Sequence, residues 1–437
     1  MTNKSFRKYL GKILGITVAS RSFLYSFVFL MTFRITFYLA NWNNKKGQVL
    51  PDSTEYIKLS TNFSDAYFGN TDDLLELSIR RPPGYPFLLH LLGSNTFLMG
   101  LIQHLMVIAI AILTIRMLNI MLGDEQISKT SSIMVLLEPS LFVESSVVLS
   151  EISFVFFASF ALYFTVKSDK RKFDLISSLF AGLSFALAIF CRPIGVIIIV
   201  VLLIAVVAQL PKLNWNHFLI LFTIIIFYVS WTIRNYSLAS TFEFSTQQSH
   251  NVHLWEGSGA VAFAQDVPID KVHESEAKLM EREVGKTPSI SQEASYRTDR
   301  GITLIRENVF YFILMHIVGV FKILFGPGQG EFVFFISNGQ QSSATNLWQR
   351  LLVAIFASIT ISIVILSSYG VVTIFRKAQA HTFLVPILFV ALNLIFSSGF
   401  QAYSRFRVPI APLICIFASI GLVHLLRGHK LIKKRAY

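Results

Sequence analysis

The chain has 437 residues, of which 53% are hydrophobic and only 14% are charged, and its formal net charge is +13. A soluble domain has about a quarter of its residues charged, whereas apolar runs of about 18 residues or more recur along this chain, so an ordinary soluble protein is excluded and a polytopic membrane protein is indicated. The two cysteines, Cys191 and Cys415, lie far apart in or beside apolar runs, which indicates neither a disulfide framework nor a metal site.

Apolar run length and flanking charge predict an all-α, multi-pass integral membrane protein with about ten transmembrane helices. The first run follows a basic lead that contains Lys4, Arg7, Lys8 and Lys12, and no small-residue cleavage site clearly follows it, so we interpret it as an uncleaved span. The whole chain, residues 1–437, is predicted to be one membrane-embedded unit. In chain order the predicted spans are 22–40, 97–115, 130–146, 147–166, 173–190, 194–210, 217–236, 348–375, 380–398 and 408–426.

Basic residues concentrate in the connections that this topology places inside, including "KSDKRK" at residues 167–172 and the C-terminal "RGHKLIKKRAY". Cytoplasmic connections of membrane proteins are rich in Lys and Arg, so this asymmetry predicts that both termini are cytoplasmic. Membrane orientation thereby explains the positive net charge, and nucleic acid is not predicted as a partner.

Two large segments are predicted to lie outside, residues 41–96 with juxtamembrane helices and residues 237–347 with an interfacial helix. In the second segment, residues 268–284 have the pattern of an amphipathic helix, "KTPS" at 286–289 breaks it, and a further helix follows. Residues 308–325 are long enough to cross the membrane. A crossing would place the basic tail outside, so we predict an interfacial or re-entrant helix there.

Arginines recur at the predicted outer membrane edge, where Lys and Arg should be scarce. Ionisable residues at membrane depth are costly and usually functional, and the planar guanidinium suits phosphate. A single arginine could instead extend to the lipid headgroups, but convergence on one face predicts a phosphate pocket at the outer leaflet. These arginines are Arg34, Arg80, Arg81, Arg192, Arg234, Arg405 and Arg407.

Carboxylates gather at the same predicted face. Asp52 and Glu55 lie in the first outer segment, and "LLEPSLFVESSVVLSEISF" adds Glu138, Glu144 and Glu151. Glu138 is interpreted as a span-end carboxylate, while Glu144 and Glu151 are about two turns apart and would share a face if that stretch were helical. A base beside a phosphate pocket suits group transfer from a lipid phosphate, because the base takes a proton from the acceptor and the arginines stabilise the charge on the leaving phosphate.

A rigid turn, "RRPPGYPFLLHLLG" at residues 80–93, follows the first acids. Proline fixes φ and keeps the residue before it extended, and glycine permits a tight turn. The apolar stretch 87–92 is too short to cross the membrane. We therefore expect it to lie along the interface and to hold Asp52 at the depth of a lipid phosphate.

These motifs carry a resemblance to a known family. An acid in the first outer segment, an aromatic residue four positions on and then R-x-P-P-G-Y-P resemble the polyprenol-phosphate-sugar-dependent glycosyltransferases of GT-C fold. Within that group the chain is similar to the bacterial relatives of protein O-mannosyltransferases and aminoarabinose transferases. Further matches, in the family's order, are "EPSLFVESSVVLSE", "CRPIG", "WTIRNY" and "RFRVPIAPLICIFASIGL".

The resemblance implies a GT-C-like enzyme of the bacterial inner membrane that acts in cell-envelope glycan or lipopolysaccharide biosynthesis. A sugar would move from a polyprenyl-phosphate donor, with inversion, to an extracytoplasmic lipid, glycan or protein acceptor. Asp52 would be the base, Glu151 resembles the acid that follows the third span in the family, and Glu55 could share the base role. The residues that would bind substrate are Tyr56, Arg80, Arg81, Tyr85, Arg192, Arg234, Arg405 and Arg407.

Several questions stay open from the sequence. His250 and His253 are interpreted as solvated loop residues, no cofactor is firmly implied, and a divalent metal is left open but unsupported. A polysaccharide polymerase or ligase with a lipid diphosphate donor is one alternative, although "RPPGYP" after a first-segment acid disfavours it. A lipid-linked sugar transporter is another, although it would more often show paired repeats and helices broken at the midplane.

Overall fold

The computed structural model of the protein describes residues 20–69, 72–171, 173–208, 215–340, 346–377 and 380–435, together with Gly11 and Leu14. Every regular element among these residues is a helix, which confirms the predicted all-α class. The α-helices are α1 (Arg21–Ala40), α2 (Pro51–Thr61), α3 (Phe63–Tyr67), α4 (Asp72–Arg80), α5 (Gly84–Leu91), α6 (Thr96–Leu122), α7 (Glu125–Leu137), α8 (Pro139–Glu144), α9 (Glu151–Ser168), α10 (Leu175–Cys191), α11 (Val196–Ala208), α12 (Trp215–Ala239), α13 (Gln247–Asn251), α14 (Ser258–Gln265), α15 (Ile269–Val284), α16 (Ile290–Glu307), α17 (Val309–Phe325), α18 (Gln329–Ile336), α19 (Leu347–Arg376), α20 (Ala380–Ser397) and α21 (Ala411–Arg435).

Six stretches among the described residues are long and apolar enough to cross a membrane, which supports a multi-pass membrane protein. They are α1, α6, α9, α12, α19 and Ser404–Gly428. Three apolar stretches are shorter, namely α10, Pro193–Val207 and Thr382–Ser397, and the predicted number of ten spans stays a prediction. The basic residues Lys4, Arg7, Lys8 and Lys12 of the N-terminal lead lie outside the described residues.

Residues 308–325 were the uncertain part of the predicted topology. They form α17, which meets α16 at a bend of 95°. A pair of helices bent this sharply is either a broken span or a re-entrant loop. The predicted interfacial or re-entrant placement therefore stays a prediction.

The predicted span 130–146 is broken, and its break is stabilised by polar side chains. Helix α7 ends at Leu137 because Pro139 disfavours helical geometry at the residue before it. The Glu138 carboxylate then caps α8 by accepting a hydrogen bond from the Leu141 amide at 2.7 Å. The buried Arg34 guanidinium donates to the carbonyl oxygens of Leu136 at 3.1 Å and Leu141 at 2.7 Å. Arg34 thus satisfies backbone groups that the break leaves without helical partners.

The chain leaves α8 at Glu144 and re-enters a helix only at Glu151. The stretch between the two acids is therefore not one continuous helix, and the condition under which they would share a helix face is not met. Glu151 instead opens α9, which packs against α6 and α10 in the main hydrophobic core. Its carboxylate is consequently held at one end of the bundle, at the edge of the core.

The segment after α12 folds into a helical layer. The predicted amphipathic helix at 268–284 is present as α15, and the side chain of Ser289 caps α16. The two helices are joined by the ion pair of Glu276 with Arg300 at 2.8 Å. Burial alone would raise the pKa of Glu276, but Arg300 and the neighbouring His253 lower it to about 2.

The prediction that His250 and His253 are solvated loop residues is wrong. His250 lies partly buried in α13, and His253 lies in a π-helical turn, Val252–Gly257, with only 1% of its surface exposed. The Nε2 atom of His253 lies 3.2 Å from Oε2 of Glu276. Packing of α16 against this turn, together with Glu276 of α15, removes His253 from solvent, and the sequence pattern of the turn alone gave no sign of it.

Candidate active site

Helix α2 presents the two acids of the first segment side by side. Pro51 stands at its first helical position, where proline is favoured because that amide has no helical partner. The Ser53 hydroxyl accepts a hydrogen bond from the Leu50 amide at 2.9 Å and fixes the start of the helix. Residues three apart share one helix face. Asp52 and Glu55 therefore project together, while Ser53 points to the buried side.

The proline turn brings two arginines onto these acids. Gly84 packs on the backbone of α10 so closely that a Cβ atom there would lie 2.6 Å from the carbonyl carbon of Phe190. Arg80 and Arg81, just before the turn, both reach Glu55 at 2.7 Å, and Arg81 also reaches Asp52 at 3.1 Å. The first segment thus folds back so that Arg81 lies against Asp52.

Two tyrosines of the predicted site lie beneath these ion pairs. The Tyr56 ring packs edge-on against the Tyr85 ring at 4.9 Å, and the Arg81 guanidinium lies over the Tyr56 ring at 5.3 Å. The Tyr56 hydroxyl is hydrogen bonded to Ser150, and the Tyr85 hydroxyl donates to Gln103 at 2.9 Å. Both side chains are buried and form the packed layer beneath Arg81 and the acids it binds. Their predicted contact with substrate stays a prediction.

A third arginine, from the opposite end of the sequence, completes the group. Arg405 lies in a 3₁₀ turn, Ser404–Ile410, that leads into α21. Its Nη2 donates to Asp52 Oδ2 at 2.8 Å, and its Nε donates to Glu151 Oε1. Arg192 has an extended backbone and lies between α10 and Pro193. Its guanidinium also pairs with Glu151 Oε1.

The result is one continuous chain of ion pairs, which we call the ion-pair network. It joins the first segment, the start of α9, the end of α10 and the turn before α21. With all members ionised, its four arginines and three carboxylates leave one surplus positive charge. In order of contact its members are Arg80, Glu55, Arg81, Asp52, Arg405, Glu151 and Arg192.

Exposure differs sharply along the ion-pair network. The Glu151 side chain is fully buried, whereas 35% of the Asp52 side chain is exposed. Burial alone would raise the pKa of Asp52, but Arg405 and Arg81 lower it to about 2. Asp52 is therefore an ionised carboxylate at neutral pH that solvent, or a substrate group, can reach.

Two predicted phosphate contacts lie outside the ion-pair network. Arg234 stacks on Trp231 at 4.7 Å and donates to the Ser78 hydroxyl at 3.3 Å, so it braces α4. Arg407 is almost fully buried, pairs with Glu138 at 2.9 Å and donates to the Gly326 carbonyl oxygen at 2.8 Å. The structure does not bring either arginine to Asp52, and their phosphate-binding role stays a prediction.

Sequence reasoning missed Tyr403 as part of this site. Its hydroxyl accepts a hydrogen bond from Arg405 Nη1 at 3.2 Å. Burial raises the pKa of Tyr403 to about 12, despite the opposing effect of Arg405, so the hydroxyl keeps its proton. The only signal in the sequence was an aromatic residue two positions before an arginine.

Within the part of the chain that the structure describes, no group of three or more His, Cys, Asp and Glu side chains could hold a metal ion.

Comparison of the sequence with protein families gives one match relevant to the site. Residues 90–254 match the family model described as dolichyl-phosphate-mannose-protein mannosyltransferase. The match covers less than half of the chain, and it confirms the resemblance predicted from the motifs. Glu151 and Arg192 fall inside the matched range, whereas Asp52 and Arg405 fall outside it. Comparison with curated proteins finds no relative.

Solved structures of two kinds of membrane enzyme are similar to the chain. The oligosaccharyltransferase AglB from Archaeoglobus fulgidus, in complex with an inhibitory peptide and a dolichol-phosphate, is 12% identical with a TM-score of 0.46, covering 95% of this chain and 52% of that one. ArnT from Cupriavidus metallidurans bound to undecaprenyl phosphate is 12% identical with a TM-score of 0.42, covering 92% and 78%. The chain thus spans about half the length of the AglB structure.

Proposed function

We propose that this protein is a membrane glycosyltransferase that moves a sugar from a polyprenyl-phosphate donor to a lipid, glycan or protein acceptor. The observation that carries the proposal is the ion-pair network, in which a reachable carboxylate lies between arginines at one end of an apolar helical bundle. Such a pairing supplies both a proton acceptor and a binding surface for phosphate. The match of residues 90–254 to a family of mannosyltransferases supports the same reaction class.

In the proposed reaction Asp52 is the general base. The acceptor oxygen attacks the anomeric carbon from the face opposite the phosphate, and the bond from that carbon to the phosphate oxygen breaks. The bonding electron pair leaves with the phosphate, the configuration inverts, and the acceptor proton goes to an Asp52 carboxylate oxygen. Arg405 and Arg81 adjoin Asp52 and would stabilise the negative charge that develops on the leaving phosphate.

The other two carboxylates position these arginines. Glu55 binds Arg80 and Arg81, one oxygen to each. Glu151 binds Arg192 and Arg405 from within the core. Glu55 is closer to solvent than Glu151. A share of Glu55 in the base role would appear as a large loss of transfer rate in Glu55→Gln.

The reaction is proposed to take place at the extracytoplasmic face of a bacterial inner membrane. The predicted topology places the first segment and residues 237–347 on that side and both termini in the cytoplasm. Ser245, in the segment 237–347, contacts the ion-pair network directly, because its hydroxyl donates to the Arg80 carbonyl oxygen. That segment is therefore suited to form part of the acceptor side of the site.

The test is a transfer assay with the purified protein in lipid nanodiscs. Defined undecaprenyl-phosphate sugars would be supplied with lipid, glycan and peptide acceptors, and both the freed undecaprenyl phosphate and the glycosylated acceptor would be measured. We expect both products in equal amounts. Use of a diphosphate-linked donor only would indicate a polymerase or ligase, and movement of intact donor across a vesicle would indicate a transporter. Either result would overturn the proposal.

A further inference from the structure

The proposed base is held by two neighbouring arginines of the chain. Asp52 Oδ1 accepts a hydrogen bond from Arg81 at 3.1 Å, and Asp52 Oδ2 accepts one from Arg405 at 2.8 Å. Both oxygens are therefore engaged by cations. A carboxylate held in this way is a weak proton acceptor, because taking a proton would require breaking two ion pairs.

Arg405 is the member that links the base to the rest of the site. Its three nitrogens each have a different partner: Nε donates to Glu151, Nη2 to Asp52 and Nη1 to Tyr403. An arriving phosphate competes with these partners for the same guanidinium. Whichever partner it replaces is set free at the moment of donor binding.

The exposure of the two carboxylates decides which one gives way. The Glu151 side chain is fully buried and pairs with both Arg192 and Arg405. Without Arg405 its buried negative charge would be paired with Arg192 alone, which is energetically costly. The Asp52 side chain is 35% exposed and can turn toward solvent. A lipid phosphate approaching from the open side therefore meets the bond between Arg405 and Asp52 first.

We propose that the donor phosphate itself releases the base, by replacing Asp52 on Arg405. The inference rests on the proposed function and adds to it an order of events: the donor binds, Asp52 Oδ2 is freed while Oδ1 stays with Arg81, and only then can an acceptor lose its proton. An unliganded site would accordingly be protected from premature proton transfer. Arg405 acts both as phosphate contact and as the group that holds Asp52 inactive.

Charge balance agrees with this exchange. A phosphodiester-linked sugar carries one negative charge, which matches the one surplus positive charge of the ion-pair network. After transfer the lipid phosphate has gained a second negative charge, while Asp52 has lost its own by taking the acceptor proton. The neutral Asp52 then no longer competes for Arg405 and Arg81, and both can bind the product phosphate.

The groups that face Asp52 come from four parts of the chain. Arg81 precedes α5, Arg405 precedes α21, Arg192 follows α10, and Glu55 lies on the helix of Asp52 itself. Arg81 and Arg405 are the two of these groups that pair with the carboxylate directly. Loss of the Arg405 contact should therefore raise the pKa of Asp52, because an adjacent opposite charge lowers a carboxyl pKa by about 1–3 units.

The experiment is carbodiimide labelling of the wild-type protein in nanodiscs, at one mildly acidic pH, read by mass spectrometry. Labelling of Asp52 is compared in the presence of undecaprenyl phosphate and of undecaprenol, which has the same chain without the phosphate. A rise of one pKa unit increases the protonated, reactive fraction about tenfold, so the phosphate lipid should increase Asp52 labelling by at least about tenfold. Labelling of the exposed Asp270 serves as the reference and should not change.

The outcomes separate the switch from the function on which it rests. Sugar transfer in the same preparation, with Asp52 labelling unchanged or decreased by undecaprenyl phosphate, would overturn the switch and leave the enzyme intact. Absence of both transfer and binding of the phosphate lipid would overturn the proposed function and the switch together. The variant Arg405→Lys provides a second measurement. Lysine lacks the planar fork with which Arg405 holds several partners at once, so this variant should show raised Asp52 labelling without any lipid.

Discussion

Replacing Glu151 with Gln should destabilise the protein far more than a surface substitution of the same kind. The Glu151 carboxylate is fully buried and neutralises Arg192 and Arg405 at once. Glu151→Gln keeps the size of the side chain but removes the carboxylate that pairs with Arg192 and leaves Arg405 paired with Asp52 alone. Removing one partner of a buried ion pair costs about 3–5 kcal/mol, and the free energy of unfolding should fall by an amount in this range.

The matched control is Glu281→Gln. Glu281 pairs with Lys286 at 3.4 Å, but 51% of its side chain is exposed, and exposed pairs contribute only about 0–1 kcal/mol. Both variants would be unfolded by a detergent titration in mixed micelles and followed by the loss of helical circular dichroism. Equal losses of unfolding free energy in the two variants would refute the reasoning, because burial of the pair would then have no measurable consequence.

Three further predictions follow from other parts of the chain. Arg407→Lys should lower stability, because this guanidinium pairs with the buried Glu138 and donates to the Gly326 carbonyl oxygen; its predicted phosphate contact would show as a raised donor KM, and an unchanged KM would contradict it. Of cysteines introduced at Asp270 and Arg376, only the first should react with an impermeant maleimide added outside, and the reverse pattern would invert the topology. Glu276, whose pKa is about 2, should contribute stability above its usual pKa of 4.5 that is lost as the pH falls toward 2. Glu276→Gln should therefore show a weaker loss of stability on acidification, measured by unfolding at several pH values.

The overall class of the fold could be predicted from the sequence because a membrane span leaves a long apolar run. Details that depend on single residues could not be predicted from run length. The break between Leu137 and Pro139 divides a run of sufficient length, and Arg34, which stabilises it, lies about a hundred residues earlier. Likewise His253 is buried by a helix that follows it, so its own neighbours in sequence still resemble a solvated loop.

The part of the site whose residues are close together in sequence could also be predicted. Asp52, Glu55, Arg80 and Arg81 lie within one short stretch, and their proximity follows from a helix and a proline turn. The distant half required the tertiary structure, since Asp52 and Arg405 are 353 positions apart.

The two arginines of "RFR" show the limit most clearly. They are two residues apart in a 3₁₀ turn, which has about three residues per turn, so they point in different directions. Arg405 reaches Asp52, whereas Arg407 reaches Glu138 and the end of α17. Residue type and predicted depth are the same for both, so the sequence could not distinguish the arginine beside the acid from the one that ties the helices together.

The most direct test of the account is the transfer rate of Asp52→Asn, measured with a polyprenyl-phosphate sugar under conditions where donor binding is monitored separately. The amide keeps the shape of the side chain but cannot accept the proton, and loss of a general base lowers the rate by about 10²–10⁴-fold. We predict a loss of this size in kcat with donor binding retained, and a smaller loss for Glu55→Gln, whose side chain positions the two arginines of the proline turn. An Asp52→Asn enzyme that transfers sugar at a rate near that of the wild type would contradict the central claim.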